Sequence, residues 1–326
     1  MSRPRILVLS LGGTITMVPA ASGGIAPKLG AAELIASVPA LAELAELHAE
    51  SPFRLPSPSL TPAMLVEVAA RIRQALADGC GGAVVIQGTD TIEESAFLLD
   101  LLVEGEKPVV VTGAMRGAAA AGADGPANLL AAVSVAAIAA AAGQGTLAVL
   151  NDEIHAARFV QKSHTALPSA FTSPLAGPLG LVAEGRVRLY SRVSRLPCLD
   201  PSAGPPVPVA LLTWAMGEDG RLLAALPDLG YRGAVIVGMG AGHVPAGSAE
   251  AVGALARRMP LVLAARPMTG PVFAATYGYD GGEIDLVRRG VIPAGLLSGL
   301  KARLLLGLVL RHGDAEAARQ AFAAYQ

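Results

Sequence analysis

Arg5-Ile6-Leu7-Val8-Leu9-Ser10-Leu11-Gly12-Gly13-Thr14-Ile15-Thr16 is the stretch that decides the fold. Ile6 to Leu11 is a short, mostly apolar run, as expected of a parallel strand buried on both faces. It stops at Gly12-Gly13, where glycine lets the chain turn sharply at the carboxyl edge of a sheet and leaves room for a small ligand. Thr14 then holds a hydroxyl at the edge where open α/β sheets bind ligands. It is the first candidate nucleophile. On this stretch alone, capping of the following segment is the favoured explanation, because a single Gly-Gly-Thr is a weak signal.

The same pattern returns downstream. Ala83 to Gln87, set between glycines, ends in Thr89-Asp90-Thr91. Thr91 and Glu94 have capping-box spacing for a helix running to about Val103. Thr89 and Asp90 therefore belong to a strand-to-helix turn, beside a helix N-terminus that favours developing negative charge. Val109 to Val111, ending in Thr112-Gly113, and Thr146 to Leu150, followed by Asn151-Asp152, read as further strands. Thr61-Pro62 supplies an N-cap and first position for a helix with Leu65, Val68, Ala69, Ile72 and Leu76 on its apolar face. Asp124-Gly125-Pro126 opens an alanine-rich helix to about Ala142. Ala31 to Leu47 has helical spacing interrupted at Pro39. Met17 to Leu29, with Ser22-Gly23-Gly24 and Pro27, has little periodicity and is expected to form a mobile lid over the first strand's edge.

This alternation predicts an α/β protein with two α/β domains. The larger N-terminal domain, residues 1–196, has a mostly parallel sheet flanked by helices. A proline-rich linker, 197–208, leads to a smaller C-terminal α/β domain, 209–326. The latter contains strands at 209–213, 234–237 and 261–265 and helices at 248–258, 295–310 and 315–325. Residues 153–195 are weakly patterned. Right-handed crossovers would bring Thr14, Thr89 and Asp90 to one crevice, while the strand order stays open.

The chain has 326 residues, 52% hydrophobic and 16% charged, enough apolar surface for large cores. A net charge of -1 lacks the basic face that nucleic acid or an anionic membrane requires. Sparse aromatics disfavour base stacking. Cys80 and Cys198 form neither a disulfide framework nor a zinc pattern, and the five histidines show no metal spacing. Gly238 to Gly242 lacks the register of a dinucleotide loop. Ile6 to Leu11 is too short for a signal-peptide core, and no apolar run is long enough to span a bilayer. The expectation is a soluble cytoplasmic protein acting on a small molecule, with no nucleic-acid or membrane partner.

A threonine hydroxyl is a poor nucleophile until a neighbour accepts its proton. A buried lysine can have a lowered pKa, and a nearby carboxylate can orient it. Thr89, Asp90 and Lys162 could supply such a relay for acyl transfer. Turn chemistry accounts for Thr89 and Asp90 as well, and a solvated surface role accounts for Lys162.

Together these stretches resemble the bacterial-type L-asparaginase (asparaginase/glutaminase) family. The carrying motifs are Leu11-Gly12-Gly13-Thr14-Ile15, Gln87 to Glu94, Thr112-Gly113-Ala114-Met115-Arg116, Ala123 to Leu129, Asn151-Asp152 through Lys162, and Gly177-Pro178-Leu179-Gly180. Gly238 to His243 and Gly282-Glu283-Ile284-Asp285 match more loosely. The resemblance implies hydrolysis of the asparagine side-chain amide to aspartate and ammonia, without cofactor or metal. It implies Thr14 as nucleophile and Thr89, Asp90 and Lys162 as the second threonine and its proton relay. Ser57 would bind the substrate α-carboxylate, Asp90 the α-amino group, and Glu283 would reach that amino group from a neighbouring subunit of a homotetramer or homodimer.

Three departures stand out. Many members carry a lid tyrosine that contacts the nucleophile, yet Ile15 to Leu29 contains none, with Ile25 near the expected place. Tyr277, Tyr279 or Lys28 is expected to substitute. Pro58 follows Ser57 where many members have a second polar contact, and His243 replaces an asparagine. The alternatives are a broader asparaginase-glutaminase, a non-catalytic amino-acid-binding homologue, and the ammonia-generating subunit of a tRNA amidotransferase. The last calls for an additional N-terminal domain.

Overall fold

A computed structural model describes residues 3–19, 25–200 and 204–326. The contacts fall into two units, Met1–Pro201 and Ser202–Gln326, each built on its own sheet.

The first unit runs β1 (Arg5–Ser10), β2 (Met17–Pro19), β3 (Ile25–Pro27), α1 (Ala31–Ala36), α2 (Leu41–Leu44), β4 (Glu46–Glu50), α3 (Pro62–Ala77), β5 (Gly82–Ile86), α4 (Ile92–Leu102), β6 (Val109–Thr112), α5 (Gly125–Ala136) and β7 (Thr146–Leu150). It continues with β8 (Glu153–Ala156), β9 (Gln161–Lys162), β10 (Phe171–Thr172), β11 (Gly180–Ala183) and β12 (Arg186–Leu189). Its main sheet has the order β12-β11-β8-β7-β6-β5-β1-β4. The strands from β7 to β4 are parallel neighbours, while β8, β11 and β12 extend the sheet antiparallel. The parallel strands are apolar because helices cover them on both faces. Ile6, Val8, Val84, Ile86 and Val110 pack with Leu34, Leu41, Leu129 and Val133 from α1, α2 and α5. Helices α3 and α4 pack together and onto β5 to β7. Thr61 caps α3 as expected, its side chain accepting the Met64 N–H.

Three segments depart from the expectation. The helical spacing of 31–47 yields two short helices, and its end becomes the edge strand β4. Pro39 breaks the helix. Among the described residues strand β4 pairs only with β1, and its half-exposed, mostly polar residues leave no apolar signature. The weakly patterned 153–195 contains the antiparallel extension. Its hairpins use two-residue turns with positive φ, Asn151-Asp152 at 51° and 62° and Glu184-Gly185 at 52° and 68°, which match the right-handed twist of paired strands. In the lid, β2 and β3 form a short antiparallel ladder. Its tip, including Ser22-Gly23-Gly24, lies outside the described residues.

The second unit contains β13 (Val209–Thr213), β14 (Gly233–Gly238), α6 (Ala249–Ala256), β15 (Leu261–Ala265), α7 (Glu283–Arg288), β16 (Ile292–Pro293), α8 (Gly299–Val309) and α9 (Ala315–Ala323). Its parallel sheet has the order β13-β14-β15-β16. Trp214, Ile236, Val252, Leu263 and Leu286 contribute to its core. Element α7 and strand β16 were not expected. Both are too short for a periodic signal.

Glycine permits close backbone packing at the end of β1. Gly12 and Gly13 have φ of 109° and 87°. A Cβ on Gly13 would lie 2.0 Å from the Gly88 nitrogen, and one on Gly12 would lie 2.4 Å from the Leu55 oxygen. Backbone contacts of this kind cannot relax by side-chain rotation. Gly13→Ala should destabilise the protein by about 3 kcal/mol or more, read as a lower urea midpoint. Ala at Gly79, which has positive φ but no atom within 4 Å of the added Cβ, should cost much less.

Candidate active site

Thr14, Ser57 and Thr89 each begin a single 3-10 turn: Thr14–Thr16, Ser57–Ser59 and Thr89–Thr91. These turns follow β1, β4 and β5, which are neighbours in the sheet. Glycine sets their spacing. Gly13 lies against Gly88, and a Cβ on Gly88 would come 2.7 Å from Ser57 Oγ. Three hydroxyl residues thus gather at one sheet edge.

The hydrogen bonds knit two of these turns together. The buried Ser57 hydroxyl accepts the Asp90 N–H at 3.2 Å, and its carbonyl accepts from Thr91 Oγ1 at 3.4 Å. Thr91 Oγ1 also accepts from Gln87 Nε2 at 3.1 Å. The Thr91 side chain therefore does not cap α4. The capping-box expectation fails because tertiary partners occupy the hydroxyl.

Lys162 enters from the β9–β10 hairpin, where it is paired with Phe171. Its Nζ donates to Thr89 Oγ1 at 2.9 Å and to Asp90 Oδ1 at 2.6 Å. The Lys162 side chain is 15% exposed, whereas the Asp90 side chain is 58% exposed. An open groove of about 490 Å³ borders the pair, lined by Asp90, Glu93, Lys162, Ser163, His164 and Thr165. This arrangement can shuttle a proton between a hydroxyl and an amine while a carboxylate holds the amine in place.

The structure joins Ser57, Thr89, Asp90 and Lys162 in one network. Thr14 is half-buried and is tied to it through the Gly13–Gly88 backbone contact. Glu283 lies in the second unit. It is fully buried, and its Oε1 accepts the N–H groups of Thr276 and Tyr277 at 2.8 and 2.6 Å. Burial alone would push its carboxyl up, but these donors, its own backbone N–H and His243 together hold it below the usual carboxylate range. Tyr277 and Tyr279 are exposed and set their rings against His243.

A supporting layer was not assigned from sequence. Asp124 accepts the N–H groups of Met115 and Arg116 at 2.9 and 2.8 Å. Asn128 donates to the Gly113 carbonyl and accepts the Asn151 N–H, each at 2.9 Å. They tie the exit of β6 to the turn after β7. His155, which the sequence left as ordinary packing, is completely buried in β8, with Nδ1 3.0 Å from the Ser173 hydroxyl just beyond β10. The available signal was a polar residue inside an apolar run, as at Gln87 and His155. Such buried groups need specific partners.

Two α/β units, the first with hydroxyls and a lysine–carboxylate pair at its strand ends, make a scaffold suited to acid–base chemistry on a small molecule. Residues 5–195 match the family model "Asparaginase, N-terminal", and residues 208–322 match "Glutaminase/Asparaginase C-terminal domain". The probable L-asparaginase of Deinococcus radiodurans is 38% identical over 96% of this chain and 94% of its own length. L-asparaginase 2 of Escherichia coli is 32% identical over 95% and 90%. The crystal structure of a probable cytoplasmic L-asparaginase from Campylobacter jejuni superposes with a TM-score of 0.90 at 31% identity, covering both chains completely. The chain belongs to the asparaginase family.

Burial holds the His155 imidazole down to about 4, from an ordinary value of 6.5. Between these values the unfolded chain binds the proton and the folded one does not. This contribution to stability is therefore complete above about pH 6.5 and falls as the pH drops towards 4, by roughly 3 kcal/mol in all. Urea unfolding from pH 7 to 4 should show the loss in the wild type and a correspondingly flatter profile in His155→Leu.

Proposed function

We propose that the protein hydrolyses the side-chain amide of L-asparagine to L-aspartate and ammonia, with Thr14 as nucleophile. The observation that carries this reading is the Lys162 ammonium, hydrogen-bonded to both Thr89 Oγ1 and Asp90 Oδ1. Membership of the asparaginase family supports it. Thr14 Oγ forms a bond to the amide carbon and gives up its proton. The C–N bond then breaks, and the nitrogen leaves as ammonia with the proton it gains. Water adds to the resulting β-acyl ester, releasing aspartate and restoring the Thr14 hydroxyl. Thr89 and Lys162 carry protons in these steps, and Asp90 orients the amine.

Ser57 receives the substrate α-carboxylate. Its oxygen already accepts the Asp90 N–H, which leaves its own proton to donate. Asp90 and Glu283 take the α-ammonium group, Glu283 from a neighbouring subunit of a homotetramer or homodimer. Lys28, Tyr277 and Tyr279 are the candidates to replace the lid tyrosine. Lys28 follows β3, and its N–H donates to the Thr16 carbonyl in the Thr14 turn. A cytoplasmic location accords with the description of the Campylobacter jejuni relative. Among the described residues no helix is long and apolar enough to cross a membrane. Weaker action on glutamine accompanies this activity, and a broader asparaginase-glutaminase is the second reading, supported by a C-terminal family model named for both activities.

Ammonia release from L-asparagine, L-glutamine and their D-isomers tests the proposal. L-asparagine should be the best substrate. Thr14→Ala and Thr89→Val should each lower kcat by about a thousandfold or more. Unchanged turnover in Thr14→Ala would remove the nucleophile assignment, and no ammonia from any substrate would remove the activity.

A further inference from the structure

The second unit contains an acidic group that is held ready and covered. Glu283 begins α7 and is 0% exposed. Its Oε1 is locked by two backbone N–H groups. Its Oε2 is buried and has no hydrogen-bond partner. His243 Nε2 is also buried without such a partner and lies 3.3 Å from that oxygen. The atoms are close enough for charge pairing but are not aligned as a hydrogen bond. The His243 ring is held edge-on by Tyr277 and Tyr279, with ring centres 4.9 and 5.7 Å away. The titratable groups against this ring are Glu283, Tyr277 and Tyr279.

A buried carboxylate oxygen without a donor is costly, and such an oxygen in a native fold points to a donor supplied by a ligand. An ammonium group is the natural occupant. We infer that His243 is a specificity-determining residue that controls access to Glu283 and makes recognition of the substrate α-ammonium depend on pH. This rests on the role given to Glu283 under the proposed function.

When His243 is neutral, its misaligned contact with Oε2 is weak, and an incoming ammonium can displace the ring and take the oxygen. When His243 is protonated, it pairs with the carboxylate, which is itself held ionised by its backbone donors. The ring then stays over Oε2, and its positive charge opposes a second cation. Substrate affinity falls with pH while the hydroxyls and lysine of the first unit are untouched. Asparagine keeps its own ammonium and carboxylate charges throughout this window, so the effect belongs to the protein.

The experiment measures KM and kcat for L-asparagine between about pH 5.5 and 7.5, the range in which imidazoles commonly titrate. Wild type should show KM rising about tenfold towards acid pH, by more than any change in kcat. His243→Asn and His243→Gln should both lose the rise and show a lower KM than wild type at pH 5.5. Two variants guard against one that folds badly, and a thermal melt of each confirms folding. Succinamic acid, which is asparagine without its α-amino group, should show no acid rise specific to wild type. A KM rise that survives in both folded variants, or that is equally large with succinamic acid, overturns the inference while leaving the hydrolytic activity in place. Failure of wild type to release ammonia from asparagine overturns the proposed function, and the inference falls with it.

Discussion

The backbone contact between Gly13 and Gly88 is the constraint on which the site depends. Adjacent parallel strands have a fixed separation through the ladder, but the loops leaving them normally diverge because side chains need room. Here the exits of β1 and β5 touch through glycine backbone. Gly12 does the same against Leu55, upstream of Ser57. Any side chain at Gly13 would drive the Thr14 turn from the Thr89 turn. The hydroxyls are therefore positioned by the absence of atoms at neighbouring positions. The apolar strands beneath supply a rigid base, since their packing leaves little freedom to shift.

Rigid backbone alone would leave the polar groups of these turns unsatisfied, so a second level of structure is needed. Ser57, Thr91 and Gln87 satisfy one another between the β4 and β5 exits. Asp124 and Asn128 satisfy the loop after β6 and the turn after β7. His155 and Ser173 link β8 to the end of the small hairpin that carries Lys162. Each contact uses a buried or half-buried polar side chain for which water is not an easy substitute. The lysine's long side chain is consequently held at one end by a hairpin and at the other by Thr89 and Asp90. That two-ended restraint makes a mobile cation suitable for directed proton transfer.

Legibility in the sequence followed the physics of each element. Strands β1, β5, β6 and β7 were readable because burial on both faces demands uniform apolarity. Helix α3 was readable because Thr61 and Pro62 mark its start chemically. Strand β4 was hidden, because an edge strand can be polar and its identity comes from pairing with β1. The β8 and β12 hairpins were hidden for a different reason. Their turns contain Asn151-Asp152 and Glu184-Gly185, and only the latter ends in the glycine usual for such turns. The candidate chemistry was legible as residue types at strand ends. The Lys162 contacts with Thr89 and Asp90 span more than seventy residues, and no local pattern encodes that distance. The residue types alone left Lys162 between a relay and a solvated surface cation, and the resemblance to a family favoured the relay.

The two carboxylates proposed to take the substrate ammonium differ in the electrostatic means by which each would read it. Asp90 is exposed, adjustable and already partnered by Lys162. Its attraction for a cation is shared with a neighbouring charge and weakened by solvent screening. Glu283 is buried, its carboxylate plane fixed through one oxygen, and its other oxygen faces His243. A buried charge exerts a stronger field, but only while no other cation is paired with it. The exposed carboxylate can therefore hold the lysine amine with modest selectivity, whereas the buried one can discriminate sharply. An asparagine at position 243 would donate or accept without changing charge. A histidine there would couple discrimination to proton concentration through a side chain that belongs to the second unit.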